Sequence, residues 1–168
     1  MPLTRDILRK HQGNNTCLIE TGTYEGDIPQ LALQEGFEKI YSIEINETRY
    51  QTAVWRFEKE PRVTIIKGDS SVELPTLIKK LGCPVFFWLD AHLDGPVNAP
   101  LLDELDAIAE HPIKTHTILI DDVRRFGEYL LNVSKEILTE KILKINPTYS
   151  ICYENDGLTP DDVMVAHL

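Results

Sequence analysis

The sequence predicts an α/β fold: a doubly wound, seven-stranded sheet, mostly parallel, that ends in an antiparallel β-hairpin. Two observations predict it. Through most of the chain, short apolar runs alternate with amphipathic stretches of helical period, the pattern that builds a parallel sheet covered on both faces. The last stretch, YSICYENDGLTPDDVMVAHL, then breaks the pattern. Two apolar runs flank a turn-rich segment (Asn155, Asp156, Gly157, Pro160) with no room for a helix, so they must pair antiparallel.

Taken in order, the strands are expected at residues 16–19, 39–43, 62–66, 85–89, 115–120, 149–153 and 162–167. Helical period marks 27–35, 47–59, 71–81, 100–110 and 135–144, and the first ten or so residues offer one short helix. The punctuation agrees. Asn46 and Ser134 are natural N-caps, Pro100 suits a first helical turn, and Gly36 and Gly82 stand where helices stop. Phe86, Phe87 and Trp88 read as core. With 168 residues and neither linker nor repeat, residues 1–168 are expected to form a single domain.

Composition narrows the partners. The apolar fraction of 42% and charged fraction of 26% are ordinary for a globular protein. A net charge of −10 argues against nucleic acid or an anionic membrane, which both need a basic footprint. The start MPLTRDILRKHQGNN lacks the apolar core of a signal peptide, and no run approaches a membrane span. Cys17, Cys83 and Cys152, odd in number and set in apolar segments, read as buried free thiols. A cytoplasmic protein is expected.

In a doubly wound sheet, ligands bind beyond the carboxyl ends of the strands, near the point where strand order reverses. The first such end, LIETGTYEGDI (18–28), places Gly22 and Gly26 in a strand-to-helix loop together with Glu20, Glu25 and Asp27. Glu44, at the next strand end, follows Gly22 at about the 20-residue interval at which an acid accepts hydrogen bonds from ribose hydroxyls. A pyrophosphate is disfavoured beside carboxylates, since two unit charges ~4 Å apart interact by ~4 kcal/mol at an effective dielectric of 20. Thr23 and Tyr24 also replace the middle glycine of the dinucleotide fingerprint. An adenosine ligand with positive charge and no phosphate fits best, namely S-adenosylmethionine. Against this stand plainer readings. The glycines could serve only a tight turn, Glu44 could be solvated before the Asn46 cap, and Asp69 could only cap the helix starting near Ser71.

The segment IETGTYEGD resembles the first motif of class I S-adenosylmethionine-dependent methyltransferases, especially the O-methyltransferase branch with a Gly-x-Tyr-x-Gly loop. YSIEI, IKGDS, FFWLDAHLDG and TILIDDV resemble the following motifs in order, so the likeness spans nearly the whole chain. The resemblance implies a Rossmann-like fold and a cofactor site. Glu20 and the loop (Gly22, Thr23, Tyr24, Gly26) would face the methionine part, Glu44 the ribose, and Asp69 with Ser70 the adenine edge, with Ile45 and Asp90 also among the cofactor-binding residues.

Three more acids end the fourth and fifth strands: Asp90, Asp121 and Asp122. Converging and unpaired, they would repel one another and carry raised pKa values, which a hard divalent cation would relieve. The catechol and caffeoyl-CoA type O-methyltransferases, which this pattern resembles, bind metal at such strand ends through Asp and Asp-Asn. Here the pair is Asp-Asp. A Mg²⁺ on Asp90, Asp121 and Asp122 would lower the pKa of an acceptor hydroxyl. The alternative is that these acids contact substrate directly or hold neighbouring loops. Asp90 and His92 are the catalytic candidates, His92 as general base or else as an ordinary loop histidine. Arg124 and Arg125 are candidates for an anionic acceptor group or, equally, for salt bridges to the nearby acids. Phe126, Tyr129 and Leu130 are candidates for an apolar slot in the acceptor wall. The short N-terminal segment leaves the acceptor site shallow, completed by a second subunit as in a homodimer, or suited to a large acceptor such as a glycan. Besides methyl transfer to a hydroxyl of a small molecule or glycan, two functions stay open: a non-catalytic module binding the cofactor or a nucleoside, and a nicotinamide-dependent oxidoreductase.

Overall fold

The computed structural model describes residues 3–91, 100–127, 133–155 and 157–168. Seven strands form one sheet: β1 (Cys17–Thr21), β2 (Lys39–Glu44), β3 (Val63–Lys67), β4 (Phe86–Leu89), β5 (Thr117–Ile120), β6 (Ser150–Glu154) and β7 (Val163–His167). Their spatial order is β3-β2-β1-β4-β5-β7-β6. The first five run parallel, as the βα alternation requires, and β7 pairs antiparallel with both β5 and β6. The sheet is therefore Rossmann-like and mostly parallel, as expected. The chain builds outward from β1 to β3, then returns to place β4 on the other side of β1. That reversal opens a crevice between β1 and β4.

The hairpin has an order the alternation did not specify. β7, the last strand, enters between β5 and β6 and leaves β6 at the edge. Burial explains the choice. Val163 to Ala166 are wholly buried, whereas β6 is half-exposed along most of its length. The more apolar strand takes the covered position.

Six α-helices cover the two faces: α1 (Arg5–Gln12), α2 (Asp27–Gln34), α3 (Glu47–Arg56), α4 (Ser70–Ile78), α5 (Leu101–Glu110) and α6 (Lys135–Ile145). α4, α5 and α6 bury Leu74, Ile78, Leu105, Ile108, Leu138 and Ile142 against one face, with Ile19, Phe87 and Ile118 of the sheet. α1 and α2 bury Leu8, Leu31 and Ala32 against the other, with Leu18, Phe86 and Trp88. Adjacent strand residues thus feed opposite cores, as the period of two demands. Phe86, Phe87 and Trp88 are fully buried.

Some boundaries differ from expectation. The third helix stops at Arg56 rather than residue 59, and the fourth starts one residue early and ends at Ile78 rather than 81. Pro100 sits at the N-cap place of α5 rather than inside it. The fifth strand starts at Thr117, because His116 just before it takes the Val85 N–H on its ring Nδ1 at 3.1 Å. Of the three free cysteines only Cys17 is buried, and Cys83 and Cys152 are partly exposed. Among the described residues no helix is long and apolar enough to cross a membrane.

The expected caps are in place: Asn46 accepts from the Arg49 N–H at 3.1 Å and Ser134 from the Ile137 N–H at 3.3 Å. Asn46→Ala removes the first of these and is expected to cost about 1 kcal/mol. The cost should appear as a lower urea midpoint at unchanged m-value, with Asn46→Ser close to wild type.

Candidate functional site

The loop after β1 is shaped by contacts that allow no side chain at its first glycine. Gly22 has φ +89°, and a Cβ there would lie 2.6 Å from the backbone oxygen of Asp90. This close approach joins the ends of β1 and β4, together with the bond from Asp90 N–H to the Thr21 carbonyl at 3.1 Å. Gly26, φ +81°, begins α2, and a Cβ there would meet the Phe57 ring at 2.8 Å. Tyr24 also takes a left-handed conformation, φ 49°. It is held there because its N–H donates to Glu44 Oε2 at 2.9 Å.

Glu44 is the best-fixed acid of the site. Its other oxygen, Oε1, accepts from the Asn46 N–H at 2.7 Å, and its side chain is 4% exposed. Beneath the loop runs a buried chain of hydroxyls: Thr23 Oγ1 lies 2.6 Å from Ser42 Oγ, which in turn bonds the Glu20 carboxyl. Burial holds the Glu20 carboxyl well above the usual carboxylate range. Glu20 and Thr23 thus brace the loop from below.

Above the loop is a cavity of about 430 Å³ over the ends of β1, β2 and β4. Gly22, Tyr24, Glu44, Ile45, Asp69, Ser70 and Asp90, all expected at the site, line it. Glu20, Thr23 and Gly26, expected with them, do not. Arg49 and Asp103 line it without having been expected. Arg49 could have been suspected only from its place on the first turn of the helix after β2. Its guanidinium stacks 4.5 Å above the Tyr24 ring. Asp69 does cap α4, accepting from the Ser71 N–H at 2.9 Å, and it also lines the cavity.

The source of the negative charge differs from expectation. Asp27 turns outward to pair with Arg56 at 2.9 Å, Glu25 is exposed outside the cavity, and Glu20 is sealed below. Among the described residues, the carboxylates that face the cavity are Glu44, Asp69, Asp90 and Asp103, and the cation is Arg49. The wall is still acidic, but the strand ends supply the acids rather than the loop. Burial, and then the neighbouring Asp121 and Asp122, push the Asp90 carboxyl up to about 8.

At the end of β5 a second acidic group converges. Asp121, Asp122 and Asp162 bring carboxylate oxygens within 4.8 Å of one another. Asp162, just before β7, was not singled out in the sequence. Only the insertion of β7 beside β5 brings it here. Arg124, on the 3₁₀ turn Val123–Arg125, donates from Nη2 to Asp122 Oδ1 at 2.7 Å and pairs through Nη1 with Asp162. Arg125 Nη1 lies 3.4 Å from Asp122 Oδ2.

No family model matches the chain, and no curated protein matches it either. Solved structures do. An S-adenosylmethionine-bound amino pentose methyltransferase from Micromonospora echinaspora superposes with a TM-score of 0.65 at 12% identity, covering 96% of this chain and 87% of that one. A protein from Staphylococcus aureus described as a caffeoyl-CoA O-methyltransferase gives 0.61 at 16% identity, over 96% and 79% of the two chains. An S-adenosylhomocysteine-bound methyltransferase from Podospora anserina gives 0.60 at 17%, over 97% and 75%. The chain has the class I methyltransferase fold.

In this methyltransferase fold the cavity fits the adenosyl cofactor on the geometry described: a glycine turn no Cβ could enter, a doubly anchored acid and a phosphate-repelling wall. The Mg²⁺ trio implied by the O-methyltransferase resemblance fits less well. The carboxylates that come within 4.8 Å of one another are Asp121, Asp122 and Asp162, with Asp90 close enough to feel Asp121 and Asp122, and a guanidinium already joins Asp122 to Asp162. Arg124 and Arg125 make the salt bridges to nearby acids that one of their two readings expected. His92, Tyr129 and Leu130 lie outside the described residues. A further cluster, His11, Cys152 and Glu154, is a clasp between α1 and β6: Glu154 Oε1 holds both His11 Nε2 at 2.8 Å and Lys10 Nζ at 2.6 Å.

Two predictions follow from this geometry. Gly22→Ala should expel the loop from its contact with Asp90, lowering thermal stability and removing measurable adenosyl-ligand binding in a calorimeter, whereas Gly82→Ala, with open space around it and no left-handed backbone, should leave binding intact. The second concerns Glu104, buried on α5, whose carboxyl burial pushes up to about 7 from 4.5. Between those pH values the folded chain holds a proton that the unfolded chain releases, so stability falls as pH rises through that window. Glu104→Gln should flatten this fall and raise stability at pH 8 by about 2 kcal/mol in urea titrations, with little change at pH 4.5.

Proposed function

We propose that the protein is an S-adenosylmethionine-dependent methyltransferase acting on a hydroxyl of a small molecule or a glycan. The observation that carries this reading is Glu44, buried and fixed through both oxygens by the Tyr24 and Asn46 N–H groups, at the wall of an acidic cavity over the sheet's reversal point. A carboxylate so anchored has lone pairs left for a pair of vicinal hydroxyls, and its orientation costs nothing at the moment of binding. Tyr24, Ile45, Asp69, Ser70, Gly22 and Asp90 line the same cavity, where on this reading Asp69 and Ser70 would take the adenine edge and the Gly22 turn the methionine part.

The bound cofactor supplies a methyl group on a positively charged sulfonium. The chain's own contribution is alignment and electrostatics. The carboxylates at the cavity attract a cation and penalise a pyrophosphate, which speaks for the sulfonium ligand over a nicotinamide dinucleotide. Asp90, with its pKa near 8, is suited to accept the proton of an acceptor hydroxyl at mildly alkaline pH. In-line positioning of that hydroxyl then lowers the barrier without further covalent chemistry from the protein. Similar folds include glycopeptide N-methyltransferases as well as the caffeoyl-CoA type, so the fold alone leaves the acceptor open.

Calorimetric titration tests the reading. S-adenosylmethionine and S-adenosylhomocysteine are expected to bind with Kd of roughly micromolar order and NADH not at all. Glu44→Ala should weaken both by about tenfold or more, the worth of hydrogen bonds to a charged group. Failure of both ligands to bind would remove the proposal. Asp90→Asn separates the enzyme from a binding module. Lost transfer of radiolabelled methyl to hydroxyl acceptors, with ligand affinity retained, is the enzyme's signature.

A further inference from the structure

We propose that the guanidinium of Arg124 takes the place of a divalent cation at the end of β5, so that this chain binds its cofactor and its acceptor without a metal. The inference rests on the methyltransferase reading and concerns the acceptor side of the same site. Its ground is the way the three carboxylates are used. Asp162 is fully buried and is held three times: its backbone carbonyl accepts from the Val123 N–H at 3.0 Å, its Oδ1 from the Arg124 N–H at 2.8 Å, and its Oδ2 pairs with the Arg124 guanidinium. Asp122 gives Oδ1 to the same guanidinium at 2.7 Å and has Arg125 3.4 Å from Oδ2. Its left-handed backbone, φ 58°, is the one that turns the chain into the 3₁₀ segment carrying both arginines.

A Mg²⁺ would need near-octahedral oxygens at about 2.0–2.1 Å. Here two of the three converging carboxylates spend oxygens on a planar fork whose shape matches them. A metal bound through Asp122 and Asp162 would have to expel the guanidinium bridged between them, leaving that charge to find new partners. The substitution is chemically sensible. Arg stays charged across the physiological range, and the Arg124 side chain is 44% exposed. A fixed cation at this strand end would orient an electron-rich acceptor oxygen by hydrogen bonding, where a metal would do so by coordination.

Mn²⁺ is the probe, followed by loss of its free aquo signal in electron paramagnetic resonance and by calorimetry. The wild-type chain should take up no stoichiometric Mn²⁺ at sub-millimolar concentrations, and its affinity for S-adenosylhomocysteine should be the same in EDTA and in Mg²⁺. Arg124→Met, once its circular dichroism shows it folded, should acquire one Mn²⁺ per chain, and adding Asp121→Asn should remove it. Arg124→Lys, which keeps a cation, is the control should the methionine variant fail to fold, and it should stay metal-free. One tight Mn²⁺ on the wild type, lost in Asp121→Asn, would overturn the proposal. So would a folded Arg124→Met that binds none, because the guanidinium would then not be what closes the site. Failure of the methyltransferase reading would look different: no S-adenosylhomocysteine binding under any metal condition.

Discussion

The contact between Gly22 and the backbone oxygen of Asp90 is the constraint from which the rest of the site follows. It exists because the sheet reverses its order between β1 and β4, so that two strand ends from distant parts of the chain lie side by side. At 2.6 Å from a would-be Cβ, only glycine can stand there. With β1 ending so close to β4, the loop must turn away over β2, and Tyr24 comes within reach of Glu44. Glu44 then ties the first loop to the start of α3 through Asn46, and one carboxylate orders two strand ends.

The site stores unfavourable electrostatics to obtain this geometry. Glu20 and Glu104 are buried and Asp90 is partly buried, and desolvation pushes the pKa of all three carboxyls up. A folded protein tolerates such groups where a ligand or a proton can satisfy them. Glu20 is satisfied from within, by Ser42, and acts as a brace. Asp90 faces the cavity and is left for whatever binds there. Glu20 is sealed beneath the loop and Asp90, just past the end of β4, keeps part of its surface at the cavity, and that difference in exposure sets their different employment.

At the neighbouring strand end the acids are answered by arginine. Asp122, Asp162 and Arg124 form a closed ion-pair group on the seam where β7 joins β5. The group has a structural consequence whatever its chemistry. It fastens the start of the last strand to the turn after β5, and so fixes the inserted position of β7. Local charge pairing and strand order support each other, as expected of a minimally frustrated fold.

Much of this was legible in the sequence because it is periodic or local. Alternating apolar runs specify a parallel sheet, caps such as Asn46 and Ser134 are read from neighbours three residues away, and the glycines at 22 and 26 announce a tight turn after a strand. The cavity wall at Glu44, Asp69 and Asp90 follows from the same rule, since strand ends are visible in one dimension and share one side of the sheet. What the tertiary structure decided depends on side-chain direction and on strands far apart in the chain. Glu20 and Thr23 turned beneath the loop and Asp27 turned to Arg56, because a strand's alternation and a helix's first turn set which way each faces. Asp162 joined the fifth strand end only because β7 entered the sheet beside β5. No spacing along the chain records that choice, which was made by how much apolar surface each of the last two strands could bury.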